Sequence, residues 1–140
     1  MADPYNLQRF VDAQAPTYEH ALAELQAGKK QSHWMWFIFP QLAGLGHSTN
    51  AQLYGITGLD EANAFITHPI LGPRLQACTN ALLAWQSRSA REILGSPDDT
   101  KLCSCMTLFA TLTHEPNVFS QVLEHFFNGH ADPLTLARVG

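Results

Sequence analysis

Apolar residues recur at helical spacing along most of the chain. Asp3-Pro4 reads as an N-cap followed by proline at the first helical position, and Leu7, Phe10 and Val11 supply one stripe. Pro16-Thr17 opens a second helix, with Tyr18, Ala21, Leu22 and Leu25 at i, i+3, i+4 and i+7 and Gly28 placed to stop it. Leu59, Ala62, Phe65 and Ile66 make a third stripe, broken at His68-Pro69. Leu75, Cys78, Leu82 and Trp85 continue along a longer helix, and Ser89 caps a brief turn through Ile93 and Leu94. Ser96-Pro97-Asp98-Asp99 starts another, whose buried side is Leu102, Cys105, Leu108, Phe109 and Leu112. Pro116 begins the most regular stripe, Phe119, Val122, Leu123, Phe126 and Phe127, which Asn128-Gly129 ends. Asp132-Pro133 starts a last short helix.

One stretch departs from this periodicity. Trp34-Met35-Trp36-Phe37-Ile38-Phe39 is six apolar residues in a row, four of them aromatic, between His33 and Pro40-Gln41. A continuous apolar run fits a buried helix or a buried strand. The helical neighbours and the stop at Pro40 favour a short buried helix. From Gln41 to about Thr57 the composition shifts to Gly, Ser, Thr and Asn, the longest loop the pattern predicts. The fold class that follows is all-α: a single domain over residues 1–140, about seven or eight short helices, with one long glycine-containing loop.

Composition narrows the function classes. The 140 residues are 46% apolar and 14% charged, as in a globular domain. Lys plus Arg number 8 against 12 Asp plus Glu, and the net charge of -4 disfavours non-specific nucleic-acid binding. The first residues lack the basic start and apolar core of a signal peptide, and no apolar run is long enough to span a bilayer. Three cysteines form no disulfide framework, so the expectation is a soluble cytoplasmic protein with reduced thiols and no membrane partner.

Three groups of residues carry a family likeness. They are Lys30 with Ser32 to Gln41, Gly44-Leu45-Gly46 and Ser48; His68-Pro69 with Leu71-Gly72 and Arg74-Leu75; and Leu94-Gly95, Asp98, Lys101-Leu102, Ser104 and Met106 to Phe109. Together they resemble the bacterial family called domain of unknown function 1810. The resemblance implies a mainly α-helical single domain and no particular activity. The chain departs from the family pattern at Cys105, where a second serine is expected before Met106, which weakens any role for that serine.

Several chemistries fail on spacing. None of the seven histidines lies at i, i+4 from another, and Cys103 and Cys105 on a helix point to different sides, so no metal site is expected. Cys78 and Cys105 fall on apolar stripes, where cysteine is an inert small hydrophobe, and nothing local activates Cys103. Gly44-Leu45-Gly46-His47-Ser48 is neither a nucleophile elbow nor a dinucleotide fingerprint, and no cofactor is implied.

What remains is a constellation shared by the three motifs. Arg74, Lys101 and Lys30 bring positive charge; His33 and His68 exchange protons near neutrality. Trp34 and Trp36 offer flat apolar faces, while Gln41, Ser48 and Tyr54 in or beside the loop bring neutral hydrogen-bonding groups. Polar groups converging on an apolar wall are the makings of a small-molecule pocket. The expected ligand is an anionic small molecule held by Arg74 and Lys101, with His33 as acid or base if there is chemistry. Each residue also has an ordinary use. His33 can bridge within the core, His68 can stand in for an N-cap before Pro69, and the tryptophans can pack. Arg74 and Lys101 can pair with Asp98, Asp60 or Glu61. The alternative function is a non-catalytic helical adaptor, or a homodimer, associating through an aromatic patch.

Overall fold

A computed structural model describes residues 3–114 and 117–139. Among these it contains ten helices and no strand. They are α1 (Gln8–Gln14), α2 (Tyr18–Gln26), α3 (Met35–Ile38), α4 (Thr49–Leu53), α5 (Leu59–Thr67), α6 (Leu71–Leu83), α7 (Ala90–Leu94), α8 (Asp98–Leu112), α9 (Val118–Phe127) and α10 (Pro133–Val139). Seven of these have seven residues or more. The all-α single domain expected from periodicity is therefore what the chain forms, with the extra helices being very short.

Helix α8 is the axis of the core. Leu102, Ser104, Cys105, Met106, Thr107, Leu108 and Phe109 are all buried, because α5, α7, α9 and α10 pack around it. Helix α6 lies against α2, α5 and α9. A file of rings joins the layers: Phe10 meets Phe65 edge-on at 5.0 Å, Phe65 meets Phe109 at 5.6 Å, and Phe109 meets Phe119 at 5.8 Å. Aromatic pairs of this kind add about 0.5–1.5 kcal/mol each beyond the area they bury. The aromatic run forms the expected short buried helix: Met35 and Ile38 are buried within α3, flanked by buried Trp34 and Phe39.

Helix boundaries follow their caps. Ser89 and Glu92 form a reciprocal capping box on α7, and Asn117 caps α9 through its hydrogen bond from the Ser120 N–H. Pro116, expected to open α9, lies outside the described residues. Gly72 sits where α6 passes the end of α5: a Cβ there would lie 2.1 Å from the Ile66 carbonyl oxygen, so only glycine fits.

Two expectations need correction. Asp3 does cap α1, accepting from the Leu7 and Gln8 N–H groups, but regular helix begins at Gln8 rather than at Pro4. Asn6 is left-handed at φ 51°, which interrupts the turn. The loop from Gln41 to Thr57 is also not continuous. It contains α4, capped by Ser48, and a parallel bridge between Leu42 and Ile56.

That loop is clasped by Arg9. Its guanidinium donates to the carbonyls of Tyr5, Asn6, Leu53 and Gly55 and to Glu61, the last at 2.8 Å. Glu61 is only 1% exposed, and it also accepts from the Thr57 N–H and hydroxyl. A buried carboxylate is tolerable when it is paired and its lone pairs are filled, and here both conditions hold.

Candidate functional site

The segment leading into α3 is held by a residue the periodicity gave no reason to single out. Glu24, on α2, accepts from the Gln31 N–H, the Ser32 N–H and hydroxyl, and the Trp34 indole N–H. Burial opposes its ionisation, but these bonds, led by the Ser32 hydroxyl, outweigh that and bring its pKa down to about 2. Ser32 and Trp34 thus turn towards Glu24, while His33 between them is exposed. No hydrogen bond or ion pair joins His33 to the described residues.

Charge gathers next to this anchor. Lys30 Nζ lies 2.9 Å from one oxygen of Asp98, and Lys101 Nζ lies 3.6 Å from the other. One carboxylate therefore serves two ammonium groups. Each lysine also covers an indole: Lys30 lies 5.2 Å from the Trp34 ring centroid, and Lys101 lies 5.2 Å from that of Trp36. The two tryptophans differ. Trp34 has no exposed surface and its N–H is bound to Glu24, so it supports the site from beneath and presents no face to a ligand. Trp36 is half-buried, and among the described residues its Nε1 is the buried side-chain polar atom with no hydrogen-bond partner. Leaving such a donor unmet costs about 1–3 kcal/mol.

The other residues singled out from the sequence fall elsewhere. His68 closes α5, and its Nδ1 accepts from the Ile70 and Leu71 N–H groups at 3.1 and 3.3 Å, which requires the lone pair on Nδ1. It does the work of an N-cap for α6. Ser48 caps α4 by accepting from the Ala51 N–H. Gln41 gives its backbone carbonyl to the Ile56 N–H. Tyr54 packs between Phe10 and Phe37, with centroids 5.7 and 5.3 Å away. Arg74 lies over the Tyr18 ring at 4.7 Å and reaches Gln14, forming no ion pair with Asp98, Asp60 or Glu61. The structure thus joins Lys30, Trp34, Trp36 and Lys101 into one cluster, with Asp98 and Glu24. It places Arg74, His68, Gln41, Ser48 and Tyr54 in other surroundings.

Cysteine chemistry finds no support in the environments of the thiols. Burial pushes Cys78 up to about 12 and Cys105 well above the ordinary value. Burial and the nearby Asp132 raise Cys103 as well. Among the described residues no three His, Cys, Asp or Glu side chains come together as a metal ion would need.

Among the described residues, four of the surface hollows are lined by no residue chosen from the sequence. The largest of the four, about 580 Å³, lies between Tyr5, Leu42, Thr57, Asp60, Glu61 and Arg138. Its buried charge, Glu61, is already committed to Arg9 and Thr57, and Asp60 and Arg138 are solvent-exposed groups of opposite sign. Such a lining has no unspent buried group with which to orient a ligand.

Comparison with known proteins agrees with the fold. A conserved hypothetical protein, Rv1873 from Mycobacterium tuberculosis, has a crystal structure to which the chain is similar at 51% identity, with 98% of each chain covered and a TM-score of 0.96. No curated protein matches the chain. The model of the family described as "Protein of unknown function (DUF1810)" matches residues 4–139, and the chain belongs to that family.

Proposed function

We propose that the protein binds a small anionic molecule, as its carrier or as an enzyme acting on it, on the face formed by Lys101, Lys30 and Trp36. The observation that carries this reading is the sharing of Asp98 between two lysines beside an indole N–H with no acceptor. The Glu24 carboxylate is spent on its own four donors and Asp98 is divided between both lysines, so an oxyanion would give Lys101 a full partner and Trp36 its missing acceptor. Lys101 is the less tightly held member: its contact with Asp98 is longer than that of Lys30, and its side chain is 24% exposed against 9%. Trp36 N–H is covered in the free protein, so an acceptor reaches it as Lys101 and its surroundings shift. If the ligand is transformed, His33 is the acid or base, since its imidazole is exposed on the segment that Glu24 holds. No helix among the described residues is long and apolar enough to cross a membrane. Three free thiols suit the reducing cytoplasm, where we place the protein.

A thermal-shift screen against nucleotides, sugar phosphates, amino acids and dicarboxylates tests the reading. A ligand at about 100 times its Kd adds roughly 2.7 kcal/mol of stability. The shift is expected to vanish in Lys101→Ala while the unliganded variant melts near the wild type. A shift that survives in both Lys101→Ala and Trp36→Phe overturns the site. A second reading, self-association, draws on α10, whose Leu134 and Leu136 are 64% and 45% exposed. Sedimentation of Leu134→Glu separates the two: a wild-type dimer that dissociates in this variant favours association.

A further inference from the structure

Arg74 belongs to none of the contacts that form the Lys101 cluster. It stands at the end of the first turn of α6, a helix with no acidic residue in that turn. A cation there faces the positive end of the helix dipole, which disfavours it. No carboxylate among the described residues pairs with Arg74, and its hydrogen bond to Gln14 Oε1 is long at 3.4 Å. Tyr18 and Cys78, which lie close enough to feel its charge, both stay neutral at physiological pH: burial raises Tyr18 and pushes Cys78 up to about 12.

The guanidinium is nevertheless held in place. Tyr18 covers it at 4.7 Å. Gln14 is 1% exposed, and its Nε2 donates to the Phe37 carbonyl at 2.7 Å, so the amide oxygen is turned towards Arg74. A buried glutamine is costly to bury, and half of its hydrogen-bonding capacity is directed at positioning one cation. Arg9 shows the contrast. It is similarly half-buried, but its N–H groups reach four carbonyls and a carboxylate, whereas Arg74 reaches one amide oxygen.

We infer that Arg74, covered by Tyr18 and backed by Gln14, anchors a second oxyanion site that takes the carboxylate or phosphate of a small molecule on the guanidinium edge no protein group occupies. The planar fork of arginine matches either group through two parallel N–H···O bonds. This site does not depend on the Lys101 cluster, which has different neighbours.

The test is NMR of the arginine Nε–H signals in the 15N-labelled protein. Sodium acetate and inorganic phosphate are titrated separately at constant ionic strength, with chloride as the reference. The Arg74 signal, identified by its loss in Arg74→Lys, is expected to shift saturably with acetate, phosphate or both, while the Arg9 signal stays still. The arm that saturates names the group. Backbone signals of residues 14, 18 and 74 report binding in the variant, and Arg74→Lys is expected to weaken it at least about tenfold, with little change in Tm. Lys101→Ala is expected to leave the Arg74 response intact. Shifts that never saturate, or that chloride reproduces, overturn the site, as does equal affinity in Arg74→Lys. Loss of the response in Lys101→Ala overturns its independence and assigns Arg74 to the anion held by Lys101.

Discussion

Arg9 and Lys101 are both partly buried cations beside a single carboxylate, and they illustrate opposite uses of charge. Arg9 is saturated: Glu61 is 1% exposed and shared with nothing but the neighbouring Thr57, and every other hydrogen bond of the guanidinium goes to a backbone carbonyl. Lys101 competes with Lys30 for Asp98 and sits over an indole whose N–H has no partner. A saturated pair stabilises a fold because nothing else can bind it. An unsaturated cluster contributes little to the fold and leaves room for a ligand. Burial of a charge therefore says less than the count of its unspent bonds.

The sharpest way to break this contrast is Arg9→Ala. It strands a buried carboxylate, and the expected loss is about 3–5 kcal/mol in urea unfolding. A loss below about 1 kcal/mol would put Arg9 and Lys101 in the same class. Next is Glu24→Gln, which tests whether the segment under the cluster is held by an ionised acid. The folded pKa lies below the ordinary 4.5, so ionisation favours the native state above that value, and the contribution fades as pH falls towards about 2. The variant is expected to lose about 1 kcal/mol at neutral pH and to show a flatter acid limb. An unchanged acid limb would mean that the four hydrogen bonds do not depend on charge. Lys101→Ala comes third, with a stability change within about 1 kcal/mol, since partly exposed pairs are weak. A large destabilisation there would make the cluster structural. The smallest effect is expected from a double-mutant cycle between Lys101 and Asp98, whose coupling should be about 0.3–0.5 kcal/mol, as for other helix-surface pairs. The same cycle on Arg9 and Glu61 should give several times more.

Periodicity made α6 and α9 legible because each buries one stripe: Phe119, Val122 and Leu123 on α9 and Leu75, Cys78 and Leu82 on α6 are buried as their spacing requires, whereas α8 is buried on several sides, Ser104, Met106 and Thr107 included. Caps were legible where the side chain is short and the partner local, as with Ser89 and Asp3. The start of α1 was not, because Asn6 takes a left-handed conformation that many residues avoid and the sequence does not announce. Helix α4 was missed because five residues carry too little pattern. At the site, the pairing of Asp98 with Lys101 was visible as an i, i+3 contact. Glu24 and Gln14 were not visible, since each acts on a partner distant in sequence: Glu24 on Trp34, Gln14 on Phe37 and Arg74. Trp34 and Trp36 looked alike in sequence, and only the fold shows that one is a floor and the other an edge.

The bridge between Leu42 and Ile56 has a bearing on how the chain tolerates rearrangement. The Ala43 N–H donates to the Ile56 carbonyl and the Ile56 N–H to the Gln41 carbonyl, so the segment between leaves the core and returns at one place. Arg9 grips its returning end at Leu53 and Gly55. A cut in the exposed stretch around His47 would leave both ends secured, and the two fragments should remain associated after proteolysis. New termini opened there, with the old ones joined by a linker, should give a circular permutant that still folds. The exposed stretch around His47 is a cassette, replaceable without rewriting the helices, whereas Tyr54 at its returning end is packed between Phe10 and Phe37 and is not.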